Sequence, residues 1–236
     1  GDYEAAQEAL SRGLAIAQRQ GDVALQMQAL AFSADVEGIH SRWPQSLEKA
    51  LQAIELTSHA DNPLAEAFAH AWAGGALAAM GHDRERVRHH VAAGLTAAER
   101  LHDRVWLPTI LGAGITNVSF SWGDWQATRE SIDRGLALAP SHPIILTFGT
   151  LLEYQAGDFE QGEAHLMKLE EVMRQTAPGP TIPYVYPAVV IPMVARITGV
   201  ADGFDIAETV AETVRSSPSA TPFIATLANI GLALVA

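Results

Sequence analysis

The chain of 236 residues contains no cysteine. This excludes disulfide bridges, thiolate nucleophiles and cysteine-ligated zinc or iron–sulfur centres within it. Basic residues are also scarce, with 15 Lys and Arg against 27 Asp and Glu and a formal net charge of −12. An extended basic face that could neutralise nucleic acid phosphates is therefore not expected.

Long apolar runs are missing as well. No run approaches the roughly 20 residues that a membrane-spanning helix requires. The beginning of the chain is acidic and amphipathic, without the basic head and cleavage site of a secretory signal peptide. We therefore expect a cytoplasmic protein that has no direct contact with a membrane.

What the chain does contain is alanine, at about one residue in six. Alanine is the best helix former, and the β-branched residues that favour strands are thin outside 181–200. This composition predicts an all-α protein and argues against a β-sandwich or a barrel.

A short turn signal recurs along the sequence, in which Gly, a polar residue and an aromatic residue follow one another. Clear copies begin at Gly1, Gly123 and Gly157, a degenerate copy begins at Gly81, and looser copies contain Trp43 and Phe204. Successive copies lie 34 to 45 residues apart, which is typical of a solenoid built from repeated units. The predicted turn residues are Tyr3, Trp43, Gly81, Gly123, Trp125, Gly157, Phe159 and Phe204.

Apolar residues three and four positions apart follow each of these turns, which indicates amphipathic helices. The pattern predicts twelve helices, near 2–20, 22–40, 43–59, 63–80, 83–102, 104–122, 125–139, 142–156, 159–175, 186–198, 203–216 and 220–236. The proline-rich segment 176–183 is predicted to be an irregular loop. Pro187 and Pro192 then predict that the helix over 186–198 starts late or is kinked.

The helix, Gly-and-aromatic turn, and second helix with small residues resemble the tetratricopeptide repeat family. The best unit is 109–140, with Gly123, Asp124, Trp125, Gly135 and Pro140 in register. The resemblance implies a right-handed α-α superhelix of antiparallel helices, running as a single array over 1–236. Intervals near 40 residues resemble the long-repeat arrays of large bacterial ATP-binding regulators with LuxR-type or cyclase domains. Because the chain starts at Gly1 and stops within an apolar stretch, we expect a fragment of such a longer protein.

In the family, the inward-facing residues of the first helix in each repeat line a concave groove. The resemblance places in this groove the residues Asp35, Phe68, Asn117, Phe120, Tyr154 and Arg196. Only Asn117 matches the family's Lys, Arg and Asn clamp for a terminal carboxylate, so a chaperone-binding role is disfavoured. For Arg196 an ion pair with a neighbouring helix is an equal alternative. The turn aromatics, Trp43 and Trp125 among them, are expected to be buried wedges between helices.

Other chemistry finds little support in the sequence. His82, Glu85 and His89 share a predicted helix face, but His82 and His89 lie roughly 10 Å apart along its axis, too far for one tetrahedral zinc ion. The basic run over 84–90 is interrupted by Glu85 and lacks interleaved aromatics, so a solvated face is favoured over a nucleic acid patch. We expect no catalytic residues, no metal and no cofactor.

Two functions follow from these patterns. The first is a non-catalytic domain that binds a protein or peptide, or relays a signal, in a larger bacterial regulator of transcription. The second is a small-molecule effector site in the groove.

At the C-terminal end, Ile224 and Leu232 lie off the apolar stripe formed by Phe223, Leu227, Ile230 and Leu234. They are expected to stay exposed and to pair with a second copy of the chain.

Overall fold

A computed structural model describes residues 3–81, 84–101, 106–114, 125–177, 179–200 and 203–236. Every regular element in these ranges is a helix, so the predicted all-α class is confirmed. The helices fall into two compact units, the N-terminal unit Asp2–Asp124 and the C-terminal unit Trp125–Ala236.

The N-terminal unit contains six described α-helices and one short 3-10 turn. They are α1 (Tyr3–Gln20), α2 (Val23–Ile39), α3 (Trp43–Glu55), the 3-10 turn Leu56–Ser58, α4 (Pro63–Ala79), α5 (Arg84–Glu99) and α6 (Trp106–Gly114). The C-terminal unit contains six more in its described residues. They are α7 (Trp125–Leu138), α8 (Pro143–Ala156), α9 (Phe159–Gln175), α10 (Ile182–Thr198), α11 (Phe204–Ser216) and α12 (Pro222–Val235).

Side-chain caps fix several helix starts. Asp22, Asn62, Asp158 and Thr221 each accept a hydrogen bond from the backbone N–H three residues later. Such a bond satisfies one of the donors that a helix leaves free at its N-terminus. These four capped helices begin within one or two residues of the starts that the apolar periodicity predicts.

Left-handed residues mark the turns that follow α2, α4, α8 and α10. Gly81, Gly157 and Gly199 have φ values of 72°, 85° and 76°, and Ser41 adopts 60° at the equivalent place. A positive φ reverses the chain directly after a helix and suits glycine best. Gly81 and Gly157 are two of the predicted turn residues, whereas Gly123 lies outside the described residues.

Consecutive helices run antiparallel and alternate helices run parallel. In the N-terminal unit, Tyr3 near the start of α1 bonds to Glu37 near the end of α2. Asn62 at the start of α4 donates instead to the carbonyl of Ala24 at the start of α2. This arrangement of paired helices, with every second helix stacked in parallel, agrees with the helical-repeat architecture predicted from the sequence.

The C-terminal unit repeats this arrangement. Arg129 in α7 bonds to Glu153 near the end of α8, so α7 and α8 are antiparallel. The rings of Phe148 in α8 and Tyr186 in α10 meet at 5.6 Å. Arg196 near the end of α10 donates to the carbonyl of Leu234 near the end of α12. The helices α8, α10 and α12 thus form a parallel stack.

Helix α4 is the centre of the N-terminal core. Eleven of its seventeen residues are buried, because α2, α3, α5 and α6 all pack against it. A helix enclosed in this way is apolar all round rather than amphipathic. The surrounding cluster includes Met27, Leu30, Phe68, Ile110 and Leu111.

Two expectations about the later helices need correction. Helix α10 begins at Ile182 rather than near 186, and it continues through Pro187 and Pro192, both of which are buried. Pro183 occupies its first turn, where the missing N–H has no helical partner to lose. Burial of the apolar residues on most sides of α10 offsets the hydrogen bonds that the two inner prolines remove.

The prediction of which face of the last helix is exposed is also wrong. Ile224 is only 3% exposed and Leu232 is half-buried, whereas Ile230 is 44% exposed. The reason lies at Gly231, where an added Cβ would meet the Ala188 carbonyl oxygen at 2.6 Å. Contact of this glycine with the α10 backbone turns Ile224 and Ala228 inward and leaves Ile230 outside.

None of the described helices combines the length and the apolar character needed to cross a membrane. The predicted helix over 104–122 is described only over Trp106–Gly114.

Two glycines provide a matched test of the helix packing. A Cβ at Gly38 would lie 2.1 Å from the Trp72 ring, whereas a Cβ at Gly13 meets nothing within 4 Å. We expect Gly38→Ala to destabilise the N-terminal unit by roughly 1–3 kcal/mol through overpacking. Gly13→Ala should stabilise it by about 0.5–1 kcal/mol, because alanine loses less entropy in a helix. Urea unfolding measures both, and equal effects would contradict the packing described.

Candidate functional site

The predicted groove residue Asp35 lies half-buried on α2. The indole N–H of Trp72 donates a hydrogen bond to its carboxylate. Burial raises the pKa of Asp35 to about 6, although the Trp72 bond acts in the opposite direction. Asp35 is thus part of the contact between the parallel helices α2 and α4.

Phe68, the second predicted groove residue, belongs to the core. Its ring meets that of Phe32 edge-on at 5.4 Å, and both side chains pack in the central cluster of the N-terminal unit. A ring in this position stabilises the α2–α4 contact. It offers little surface to a ligand, so the expectation that Phe68 lines a groove is not met.

Tyr154 and Arg196 lie in the C-terminal unit. The Tyr154 hydroxyl donates to Glu163 at 2.9 Å, and burial together with this bond raises the pKa of Tyr154 to about 12. The exposed Arg196 donates to the Leu234 carbonyl at 2.8 Å, and its guanidinium lies 5.8 Å from the centre of the Phe204 ring. Arg196 therefore caps the end of α12, and neither of these contacts is the carboxylate ion pair considered as its alternative.

Two of the six predicted groove residues, Asn117 and Phe120, lie outside the described residues. Asp35 and Phe68 contact their neighbours in the N-terminal unit, and Tyr154 and Arg196 make their own contacts in the C-terminal unit. Apart from Phe68, which belongs to the core, the placement of these residues in a groove stays a prediction.

The predicted turn aromatics have different environments. Tyr3 bonds to both oxygens of Glu37, at 2.9 and 3.0 Å, and stacks under the Arg42 guanidinium. Trp43, Trp125 and Phe204 are half-buried. Phe159 is 60% exposed, so its expected burial as a wedge is wrong. Its position at the very start of α9, directly after the turn, leaves the ring outside the helix pair.

A pair of buried histidines is a feature that was not predicted from the sequence. Nδ1 of His70 in α4 lies 3.0 Å from Nδ1 of His90 in α5. The Cβ of each histidine faces a glycine of the opposite helix, His70 at Gly94 and His90 at Gly74. Small residues spaced four from each histidine are the signal that could have revealed this contact.

Burial keeps both imidazoles neutral. It is the main cause that lowers the pKa values of His70 and His90 to about 4, and the nearby His89 acts in the same direction. Among the described residues, no group of three or more His, Asp or Glu side chains could hold a metal ion. His82, the first member of the metal set considered from the sequence, lies outside the described residues.

A second feature is an open depression in the C-terminal unit, which we call the Trp125–Phe159 surface. Its lining residues come from the start of α7 and the turn between α8 and α9. They are Trp125, Arg129, Gln155, Ala156, Gly157, Asp158, Phe159 and Glu160. The Phe159 ring also meets the Tyr154 ring edge-on at 5.7 Å, which adds a third aromatic at its margin.

An ion pair joins Arg129, which lines the Trp125–Phe159 surface, to Glu153 of α8. The Arg129 side chain donates from Nε and Nη2 to the two carboxylate oxygens of Glu153, at 2.8 and 2.5 Å. Glu153 is only 2% exposed, so this half-buried arginine balances a charge that would otherwise be very costly to bury. The pair links α7 to α8 beside the depression.

Comparisons with known proteins give little guidance. No family model matches the chain, and no curated protein matches it either. Among solved structures, a tetratricopeptide repeat protein from Parabacteroides merdae is similar, with 11% identity and a TM-score of 0.37. The match covers 96% of this chain and 99% of that chain. A TM-score of this size does not establish a common fold.

The histidine pair predicts a loss of stability in acid. Unfolded histidines take up protons below about pH 6.5, whereas the folded pair resists protonation down to about pH 4. The unfolded state therefore binds more protons in this window, and the free energy of unfolding falls as the pH falls. Between pH 7 and 5 the loss should be roughly 2–4 kcal/mol.

Urea unfolding of His70→Leu/His90→Leu at the two pH values tests this expectation. The double variant should show a much flatter pH dependence than the unchanged chain, while His59→Leu at an exposed site should not. Asp35 titrates with the opposite sign in the same window, since its folded pKa is raised. The difference between variants removes that contribution, and an unchanged slope in the double variant would contradict the prediction.

Proposed function

We propose that this chain is a non-catalytic domain that binds a protein or peptide segment. The observation that carries the proposal is the exposed aromatic character of the Trp125–Phe159 surface. Phe159 is 60% exposed and Trp125 is half-buried, beside the ion pair of Arg129 and Glu153.

Aromatic side chains accessible at the surface are features of protein interfaces. Tryptophan, tyrosine and arginine are enriched among the residues that contribute most binding energy, and the side chains around them exclude water. A ring such as Phe159 loses little conformational entropy on binding because it has only two side-chain torsions. Its position directly after the Gly157 turn presents it without disturbing the helix core.

The open shape of the depression favours an extended partner over a small effector. Small-molecule sites are concave and bury most of the ligand surface. Of the residues considered for an effector site, Phe68 is buried in the core, and Tyr154 and Arg196 are held by their own neighbours. The described residues thus lend the effector alternative no specific support.

The wider context of this activity rests on the resemblance in repeat length alone. On that basis we place the domain in a large cytoplasmic regulatory protein of bacteria, where its partner would connect to the control of transcription. Signal relay between neighbouring domains would use the same kind of surface, because a helical repeat exposes a large area for its length.

Selection of random dodecapeptides displayed on phage against the purified chain tests the proposal. We expect enriched peptides to lose about tenfold or more in affinity for Phe159→Ser, as a central aromatic contact would require. Met167→Ser is the matched control, since Met167 is 64% exposed on the same helix. Failure to enrich any peptide, or equal loss in both variants, would count against this function.

Self-association through the C-terminal end stays a prediction, with different residues. Because Ile224 is buried, the surface available to a second copy includes Ile230 of α12 and Ile197 of α10, at 44% and 67% exposure. Sedimentation of the unchanged chain at about 100 μM should show a dimer. Ile230→Glu with Ile197→Glu should restore the monomer with the same helix content, and Met167→Glu should not. A monomer in the unchanged chain would end the idea.

A further inference from the structure

We infer that the Trp125–Phe159 surface selects partners in which an apolar side chain is flanked by lysine or arginine. The inference rests on the proposed function, and it adds the chemical class of the partner. Its evidence is the arrangement of charges around the half-buried Trp125 and the exposed Phe159.

Carboxylates dominate this arrangement. Asp158 and Glu160 line the depression and are exposed to solvent. The carboxylates of Glu153, Asp158 and Asp133 all act on Arg129 and raise its pKa. One guanidinium therefore faces these three carboxylates and Glu160, which leaves a negative local charge for a partner to meet.

Arg129 is paired within the structure. Its Nε and one terminal nitrogen donate to Glu153, whose carboxylate is almost fully buried. Drawing Arg129 away would leave Glu153 as an uncompensated buried charge, which is strongly unfavourable. Among the described residues that line the depression, Arg129 is the one cation and Glu153 balances its charge, while Asp158 and Glu160 face solvent.

The aromatics fit the same class of partner. A lysine or arginine side chain can place its cation over an aromatic face and its methylene groups along the ring. Trp125 and Phe159 both line the depression, and Asp158 and Glu160 flank Phe159 in the sequence. Apolar contact with the rings and pairing with the two carboxylates can therefore occur in one short segment.

Two synthetic peptides test the inference on the full chain of 236 residues. One alternates lysine with leucine and phenylalanine, and the other has glutamate in place of each lysine. In fluorescence anisotropy at low salt, the lysine peptide should bind about tenfold or more tighter than the glutamate peptide. Its affinity should fall as NaCl rises from about 0.05 to 0.5 M, because surface charge interactions are screened.

Matched variants separate a local site from the overall acidity of the chain. Asp158→Asn with Glu160→Gln should remove most of the preference, and asparagine preserves the N-cap that Asp158 gives to α9. Glu208→Gln with Glu212→Gln removes the same charge from exposed positions on α11 and should leave the preference intact. Equal effects of the two double variants would overturn the local site.

The remaining outcomes distinguish the inference from the proposed function. If both peptides bind equally and Phe159→Ser abolishes binding, the surface binds peptides but the charge preference is wrong. Tighter binding of the glutamate peptide overturns the inference in the same way. If neither peptide binds, both the inference and the proposed function fail for this surface.

Discussion

Close approach of helices at glycine is the constraint on which both units depend. At Gly38, Gly135 and Gly231 a Cβ would lie 2.1 to 2.6 Å from an atom of the facing helix. Gly38 faces the Trp72 ring, Gly135 faces the Ile145 side chain, and Gly231 faces the Ala188 backbone. Protein interiors are packed too densely to absorb such overlaps, so these contacts set how the helices are rotated and spaced. The exposed face of α12 is a direct consequence.

Two buried glutamates add a polar constraint near the ends of α2 and α8. A carboxylate at a helix C-terminus is unfavourable, because the helix dipole is negative there. Glu37 accepts hydrogen bonds from Tyr3 and Gln7 of the preceding helix and lies 4.0 Å from the Arg42 guanidinium, whereas Glu153 pairs with Arg129. In both units these contacts tie the helix that carries the glutamate to the helix before it. In the C-terminal unit, Arg129 of this pair also lines the Trp125–Phe159 surface.

Most of the helix order could be predicted from the sequence, since apolar periodicity and capping residues act over a few neighbouring positions. The rotation of each helix could not, because it depends on which glycine meets which partner. Ile224 shows this, because spacing alone placed it off the apolar stripe of the last helix. The contact of Gly231 with the α10 backbone turns it inward instead. For the same reason, inward positions taken from a degenerate repeat placed Phe68 in a groove when it lies in the core. Phe159 is exposed because it lies directly after a turn. The repeat pattern had predicted that this ring would be a buried wedge between helices.

The buried histidine pair has a consequence for proton positions. With both rings neutral, only one of the two facing Nδ1 atoms can carry hydrogen, so His70 and His90 must hold opposite tautomers. The Cβ of each histidine faces a glycine of the other helix, so the two residues have matching surroundings. The α4–α5 contact therefore has two alternative protonation patterns with the same net charge. Exchange between them requires each ring to move a hydrogen between its own two nitrogens, while the backbone stays in place.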